Sequence, residues 1–91
     1  MHQYPDYDMP GVASGPGMMI RWQEGPVAEG VNGALPELPI RAVLEHMGEL
    51  QDRVPCDENG RVIRLLHEVL WLLDARTRER HGRGVLGTEE K

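Results

Sequence analysis

A single cysteine, Cys56, is all that the 91 residues contain, which excludes an internal disulfide framework and suits a reducing compartment. No apolar run is long enough to cross a membrane, and no signal peptide is recognisable. Proline is absent from Cys56 onward, so nothing interrupts a helical pattern there. His2, His46, His67 and His81 show no zinc-ligand spacing among themselves or with Cys56. His67-Glu68 lacks the second histidine of a metalloprotease helix, and no Walker-type loop occurs. Cys56 has no His/Asn arrangement around it and reads as an ordinary cysteine between two helices, not a nucleophile. Without a persuasive acid/base pair, binding is favoured over catalysis, and neither a metal nor a cofactor is expected.

What is present is one small chain with room for a modest core only. The net charge of -5 argues against general nucleic-acid or anionic-membrane binding. Acids dominate as far as Glu58, whereas Arg61, Arg64, Arg76, Arg78, Arg80 and Arg83 crowd the last third. A locally basic site on a globally acidic protein suits a small anionic ligand better than a duplex.

Residues 1–17 are rich in Pro, Gly, Tyr and Asp without periodicity, and read as a disordered or loosely attached leader. Residues 18–91 then form a single domain. Met18 to Gln23 reads as a short strand, ended by Glu24-Gly25-Pro26. Val27 to Gly33 is open to two readings, a second strand with an Asn-Gly turn or a shaped loop whose amides approach a ligand. A helix is predicted over 39–53, with Ile40, Val43, Leu44, Met47 and Leu50 as its apolar stripe and Val54-Pro55 as its stop. A second is predicted over 57–81, capped by Asp57 or Asn59 and ended by Gly82 and Gly84. So short a connection predicts an antiparallel hairpin. Residues 82–91 make a tail in which Val85-Leu86 is either a short strand or a docking segment.

The second helix organises the rest. Val62, Leu65, Leu66, Val69, Leu72 and Leu73 recur at the spacing of a buried face. Arg76 follows Val69 by seven residues and Arg80 follows Leu73 by seven, so both arginines continue the stripe. Two readings are open. Either the helix outruns its core and ends in solvent with cations near its C-terminus, or the two arginines face a shared anion. Trp71 projects away from the stripe among Arg64, His67 and Arg78, so a further face of this helix is expected to be covered.

Read together, Trp22-Gln23, Gly25-Pro26, Glu29, Gly30-Val-Asn-Gly33, Cys56, Glu58-Asn59, Val69-Leu-Trp-Leu72, Arg76-Thr77, Arg80 and Arg83-Gly-Val-Leu-Gly-Thr88 resemble a phage Thoeris anti-defence family. That family consists of sponges that sequester cyclic ADP-ribose isomers made by bacterial TIR-domain proteins. Some members are similar in style to the anti-CBASS sponges for cyclic oligonucleotides. The resemblance covers roughly Ile20 to Thr88. It implies a non-enzymatic homo-oligomer, a dimer unit able to reach a hexamer, acting in the cytoplasm of the infected host. It implies a ligand pocket between subunits, with Arg76 and Arg80 holding phosphates, Asn59 meeting the base, and Thr77, Leu50 and Trp22 nearby. Leu50 stands where the family has an aromatic, and Glu89 where it has a histidine after Gly-Thr. The chemistry agrees with the residues: guanidinium forks suit a pyrophosphate, and a carboxamide suits an adenine edge. Asn59 and Arg76 stand at opposite ends of one helix, about 25 Å apart by helical rise, so a shared small ligand requires two antiparallel copies. The alternative is a small helical homo-oligomeric adaptor that binds another protein. The expected fold is α+β, a short N-terminal β element followed by an antiparallel two-helix hairpin, homo-oligomeric.

Overall fold

The structure, a computed structural model, describes residues 11–91. It contains a two-stranded antiparallel sheet followed by two helices, an α+β arrangement. Strand β1 is Val12–Gly15 and β2 is Met18–Arg21, with Val12 opposite Arg21 and Gly15 opposite Met18. Helix α1 is Glu37–Arg53 and α2 is Asp57–Gly82. The described chain divides into two compact units, one of Pro36–Arg78 and one of residues 11–35 together with Glu79–Lys91.

The stretch 1–17, read as a leader, contains an ordered strand at Val12–Gly15. Residues 1–10 of that stretch lie outside the described residues, but the rest of it is the first half of a β-hairpin. Pro16-Gly17 makes the turn: proline presets its own φ, and Gly17 takes φ +80, which suits glycine. Val12 is the buried residue of this hairpin. The second strand stops at Arg21, after which Trp22 makes one parallel bridge to Ala34. Val27 to Gly33 is a shaped loop, opening with a single 3-10 turn at Val27–Glu29. Val85-Leu86 is a docking segment, not a strand: Leu86 is buried, and its carbonyl accepts the Val27 amide at 2.9 Å.

In the other unit, α1 starts two residues before the predicted 39, because Pro39 sits within the first turn, where the amides lack helical partners anyway. Val54 ends the helix at φ -138, pushed out of the helical region by Pro55 behind it. The start of α2 is capped by neither Asp57 nor Asn59. Cys56 holds that place: its sulfur accepts the Asn59 amide at 3.4 Å, and its carbonyl accepts the Gly60 amide at 3.3 Å. Gln51 Oε1 takes the Cys56 amide at 3.0 Å, tying the turn to the end of α1. The antiparallel hairpin is held further along by Arg41, whose Nη2 donates to both carboxylate oxygens of Asp74 at 2.8 and 3.1 Å, and by a hydrogen bond from Thr77 to Glu37. The Arg41–Asp74 pair is exposed enough that its worth is at most about 1 kcal/mol.

The apolar stripe of α2 is not one buried face. Asn59, Ile63, Leu66, Leu70, Leu73 and Thr77 are half-buried or buried and make the inner seam, with Leu70 the most enclosed. Val62, Leu65, Val69 and Leu72 are exposed, Leu65 by 56% and Leu72 by 61%. They form a second seam offset by one residue, about 100° around the helix. In α1 the predicted stripe is likewise trimmed, since Ile40, Leu44, Met47 and Leu50 are half-buried while Val43 is exposed.

Candidate functional site

The two seams separate the two arginines. Arg76 continues the exposed seam and is itself exposed, with no ion pair among the described residues. Arg80 is only 8% exposed. Its Nη2 donates to the carbonyls of Val85 at 3.2 Å, Thr88 at 3.0 Å and Glu90 at 2.6 Å. Those three carbonyls belong to the loop that follows α2, so the guanidinium acts as the internal pin of its own C-terminal segment. Thr88 tightens the same loop by donating its hydroxyl to the Val85 carbonyl at 2.6 Å. One donor of the cation, Nε, is buried without a partner. Arg76 is therefore free to meet an anion, whereas Arg80 is already saturated on most of one edge.

Asn59 is half-buried, and its Nδ2 donates to the Val54 carbonyl at 3.1 Å. That bond fixes the carboxamide at the hairpin turn. One further donor hydrogen and the Oδ1 acceptor remain, the combination an adenine edge requires. Asn59 and Arg76 face different seams of one helix, about 25 Å apart by rise, and one chain cannot close both on a small molecule. Thr77 is turned toward α1, where its hydroxyl serves Glu37. Leu50 is half-buried near the end of α1, and Trp22 is half-buried beside the β-hairpin. Within the helical unit, Leu50 and Asn59 both bond to Val54 at the hairpin turn, and Arg76 and Thr77 stand at its open end.

Two residues organise their neighbourhoods without having been given a role from the sequence. Gln23 uses its whole carboxamide: Nε2 donates to the carbonyls of Gly25 and Gly30, both at 3.1 Å, while Oε1 accepts the amides of Asn32 at 2.9 Å and Gly33 at 3.2 Å. The glycine-rich loop is wrapped around a side chain, and the amides that a phosphate would need are taken. Asn32 reinforces it by pairing with the Glu24 backbone through both Oδ1, at 2.9 Å, and Nδ2, at 2.6 Å. Gly33 admits no side chain, because a Cβ there would come within 2.5 Å of the Trp22 carbonyl. The other residue is Glu37, 5% exposed, with Oε1 lacking a partner among the described residues.

On the outer side of the helical unit, Leu44, His67, Leu70 and Trp71 line an open groove of about 410 Å³ rimmed by the Arg41–Asp74 pair. An adjoining depression of about 300 Å³ lies between His67, Glu68, Trp71 and Leu72. Trp71 is 69% exposed there. At the helix end, Glu79 is held below the ordinary carboxylate range, first by the hydrogen bonds of Arg83 and then by the charges of Arg83 and Arg80. Among the described residues no three His, Cys, Asp or Glu side chains gather as a metal-ligand set, and no helix is long and apolar enough to cross a membrane.

These features define a small α+β helical-hairpin protein whose second helix carries an exposed apolar seam ending in an arginine with no ion pair among the described residues. No family model matches the chain. It is 42% identical over 74 residues, 79% of its own length and 52% of the relative's, to Thoeris anti-defense 1 of Bacillus phage SBSphiJ7. The chain belongs to the Thoeris anti-defence family, and it spans about half the length of that curated relative.

Proposed function

We propose that this chain is a phage anti-defence protein that binds a cyclic nucleotide immune signal and withholds it from its effector without cleaving it. The ligand class is a cyclic ADP-ribose isomer, with cyclic di- or trinucleotides as further candidates. Arg76 carries the reading: it is an exposed guanidinium, without an ion pair among the described residues, at the end of an apolar seam, in a family named for defeating Thoeris. Charge-assisted bonds from such a fork suit a pyrophosphate. Asn59 of a second copy supplies the base contact, which makes the binding unit a homo-oligomer. Thr77, Leu50 and Trp22 line the pocket or support it, and Arg80 contributes through the guanidinium edge left beyond its own loop. The protein works in the cytoplasm of the infected cell.

Incubation with the cyclic ADP-ribose isomer, removal of protein-bound ligand, and heat denaturation test this. Free ligand should fall on mixing and return intact on heating; recovery of a cleaved product, or no depletion, rejects it. A second reading, a homo-oligomeric adaptor for another protein, is favoured by the exposed Trp71 and the groove beside it. It expects no depletion of ligand at any concentration.

A further inference from the structure

The flank of α2 that carries Trp71 differs in chemistry from the seam that ends in Arg76. Trp71 stands as a ridge between two adjoining depressions, both of which it lines together with His67. The larger, of about 410 Å³, has Leu44 and Leu70 as its floor and Arg41, Glu45 and Asp74 at its rim. The smaller, of about 300 Å³, is completed by Glu68 and Leu72. Three carboxylates therefore stand here against one guanidinium, and Arg41 is already engaged by Asp74. Glu45 and Glu68 are exposed and have no ion pair among the described residues. An indole that is 69% exposed thus has such a carboxylate on each side of it.

That combination suits a cation. The face of an indole attracts positive charge through its quadrupole, a carboxylate completes a charge-assisted bond, and the leucine floor takes the methylene stem behind the charge. Arginine fits better than lysine, because a planar guanidinium stacks on the ring while its edge forks onto a carboxylate. An anionic nucleotide is repelled from the same place. A second copy is disfavoured too. Arg64 and Arg78 lie seven residues to either side of Trp71 on this flank, about 10 Å away along the axis. Copies centred on Trp71 set Arg64 against Arg78 when antiparallel, and each against itself when parallel, and like charges in contact are costly.

We propose that this groove docks a segment of another protein that presents an arginine beside an apolar residue. The guanidinium stacks on Trp71 and pairs with Glu45 in the larger depression, and the apolar neighbour rests against Leu72 in the smaller. An open groove with two adjoining depressions suits side chains laid in from a passing chain. Arg76 and Asn59 take no part, so the surface is independent of nucleotide retention.

Three capped tripeptides added to the full chain test this: leucine on either side of arginine, of its uncharged isostere citrulline, or of glutamate. The indole N–H signals are followed by two-dimensional NMR, and Trp71→Ala, checked for folding by circular dichroism, assigns them. The arginine peptide should move the Trp71 signal to saturation, the citrulline peptide should bind about tenfold more weakly, and the glutamate peptide should not bind. Glu45→Gln should weaken the arginine peptide by about threefold and leave the citrulline peptide unchanged. No saturable shift, equal binding of the arginine and citrulline peptides, or a Glu45→Gln variant indistinguishable from the parent overturns the proposal. So does a Trp71 signal that moves with protein concentration alone while Trp71→Ala lowers the mass by light scattering, since a second copy would then fill the groove.

Discussion

Thr77 donates its hydroxyl to the buried carboxylate of Glu37, closing the open end of the helical hairpin across forty residues of sequence. The other oxygen of that carboxylate has no partner, so the group is satisfied on one side only. Thr77→Val should therefore cost about 1–3 kcal/mol, because it leaves a buried acceptor bare. The pair Glu37→Leu with Thr77→Val should be closer to the parent than the single change. Urea denaturation of the four proteins as a double-mutant cycle measures this. Additive losses would mean that the two groups do not act on each other.

Arg80→Lys should loosen the C-terminal segment even though the charge is kept. A point-like ammonium cannot serve the spread of carbonyls that the Arg80 guanidinium reaches at Val85, Thr88 and Glu90. The expected loss is about 1.5–3 kcal/mol. Amide exchange gives the local reading: the Val27 amide, bonded to Leu86, and the Thr88 amide, bonded to Val85, should both lose protection.

Arg76→Ala should weaken ligand retention by about tenfold or more, the worth of a charge-assisted bond, with the midpoint of thermal unfolding of the unassociated chain unmoved. Nothing within the described chain depends on that side chain. Calorimetric titration with the cyclic ADP-ribose isomer, run beside a thermal melt, separates this from Arg80→Ala, which should lower both. Equal affinity for Arg76→Ala and the parent would remove Arg76 from the site.

Gln23→Ala should free the loop from Gly25 to Gly33, since a single carboxamide serves two carbonyls and two amides there. A cost of about 2–4 kcal/mol is expected, several part-exposed hydrogen bonds at about 1 kcal/mol each. Gln23→Glu should cost at least as much, because its second carboxylate oxygen would face the Gly25 and Gly30 carbonyls where the amide donates. Chemical denaturation ranks the three.

The Glu79 carboxyl should titrate below 4.5, the ordinary value for its type, because hydrogen bonds from Arg83 favour its charged form. A depressed carboxylate contributes stability above its unfolded pKa and loses it as pH falls through the folded one. The ion pair with Arg83 is therefore fully present at neutral pH and disappears only in acid. Carboxyl chemical shifts measured across that range should return to the ordinary midpoint in Arg83→Ala.

The helices were legible in the sequence because punctuation and periodicity agree there. Val54-Pro55 stops one helix, and the proline-free run from Cys56 permits the other. Which side of α2 faces inward was not legible. Apolar residues come in adjacent couples, Val62-Ile63, Leu65-Leu66, Val69-Leu70 and Leu72-Leu73, and either member of each fits a three-four repeat. Ile63 and Leu70 line the hairpin, while their neighbours face outward. The role of Arg80 was hidden for a different reason. Its acceptors are backbone carbonyls, which any sequence supplies, and the same holds for three of the four bonds to Gln23 being made by glycines. The first strand was missed because Ala13, Ser14 and Gly15 carry little β preference, and its pairing comes from the turn at Pro16-Gly17.

Trp71 makes the molecule its own optical gauge. Its indole stands largely in water, 69% exposed, whereas Trp22 is half-enclosed, so iodide should quench mainly the former. The indole projects from the opposite flank of α2 to Val62, Leu65, Val69 and Leu72. A blue shift of its emission at higher concentration would signal that this flank has been covered.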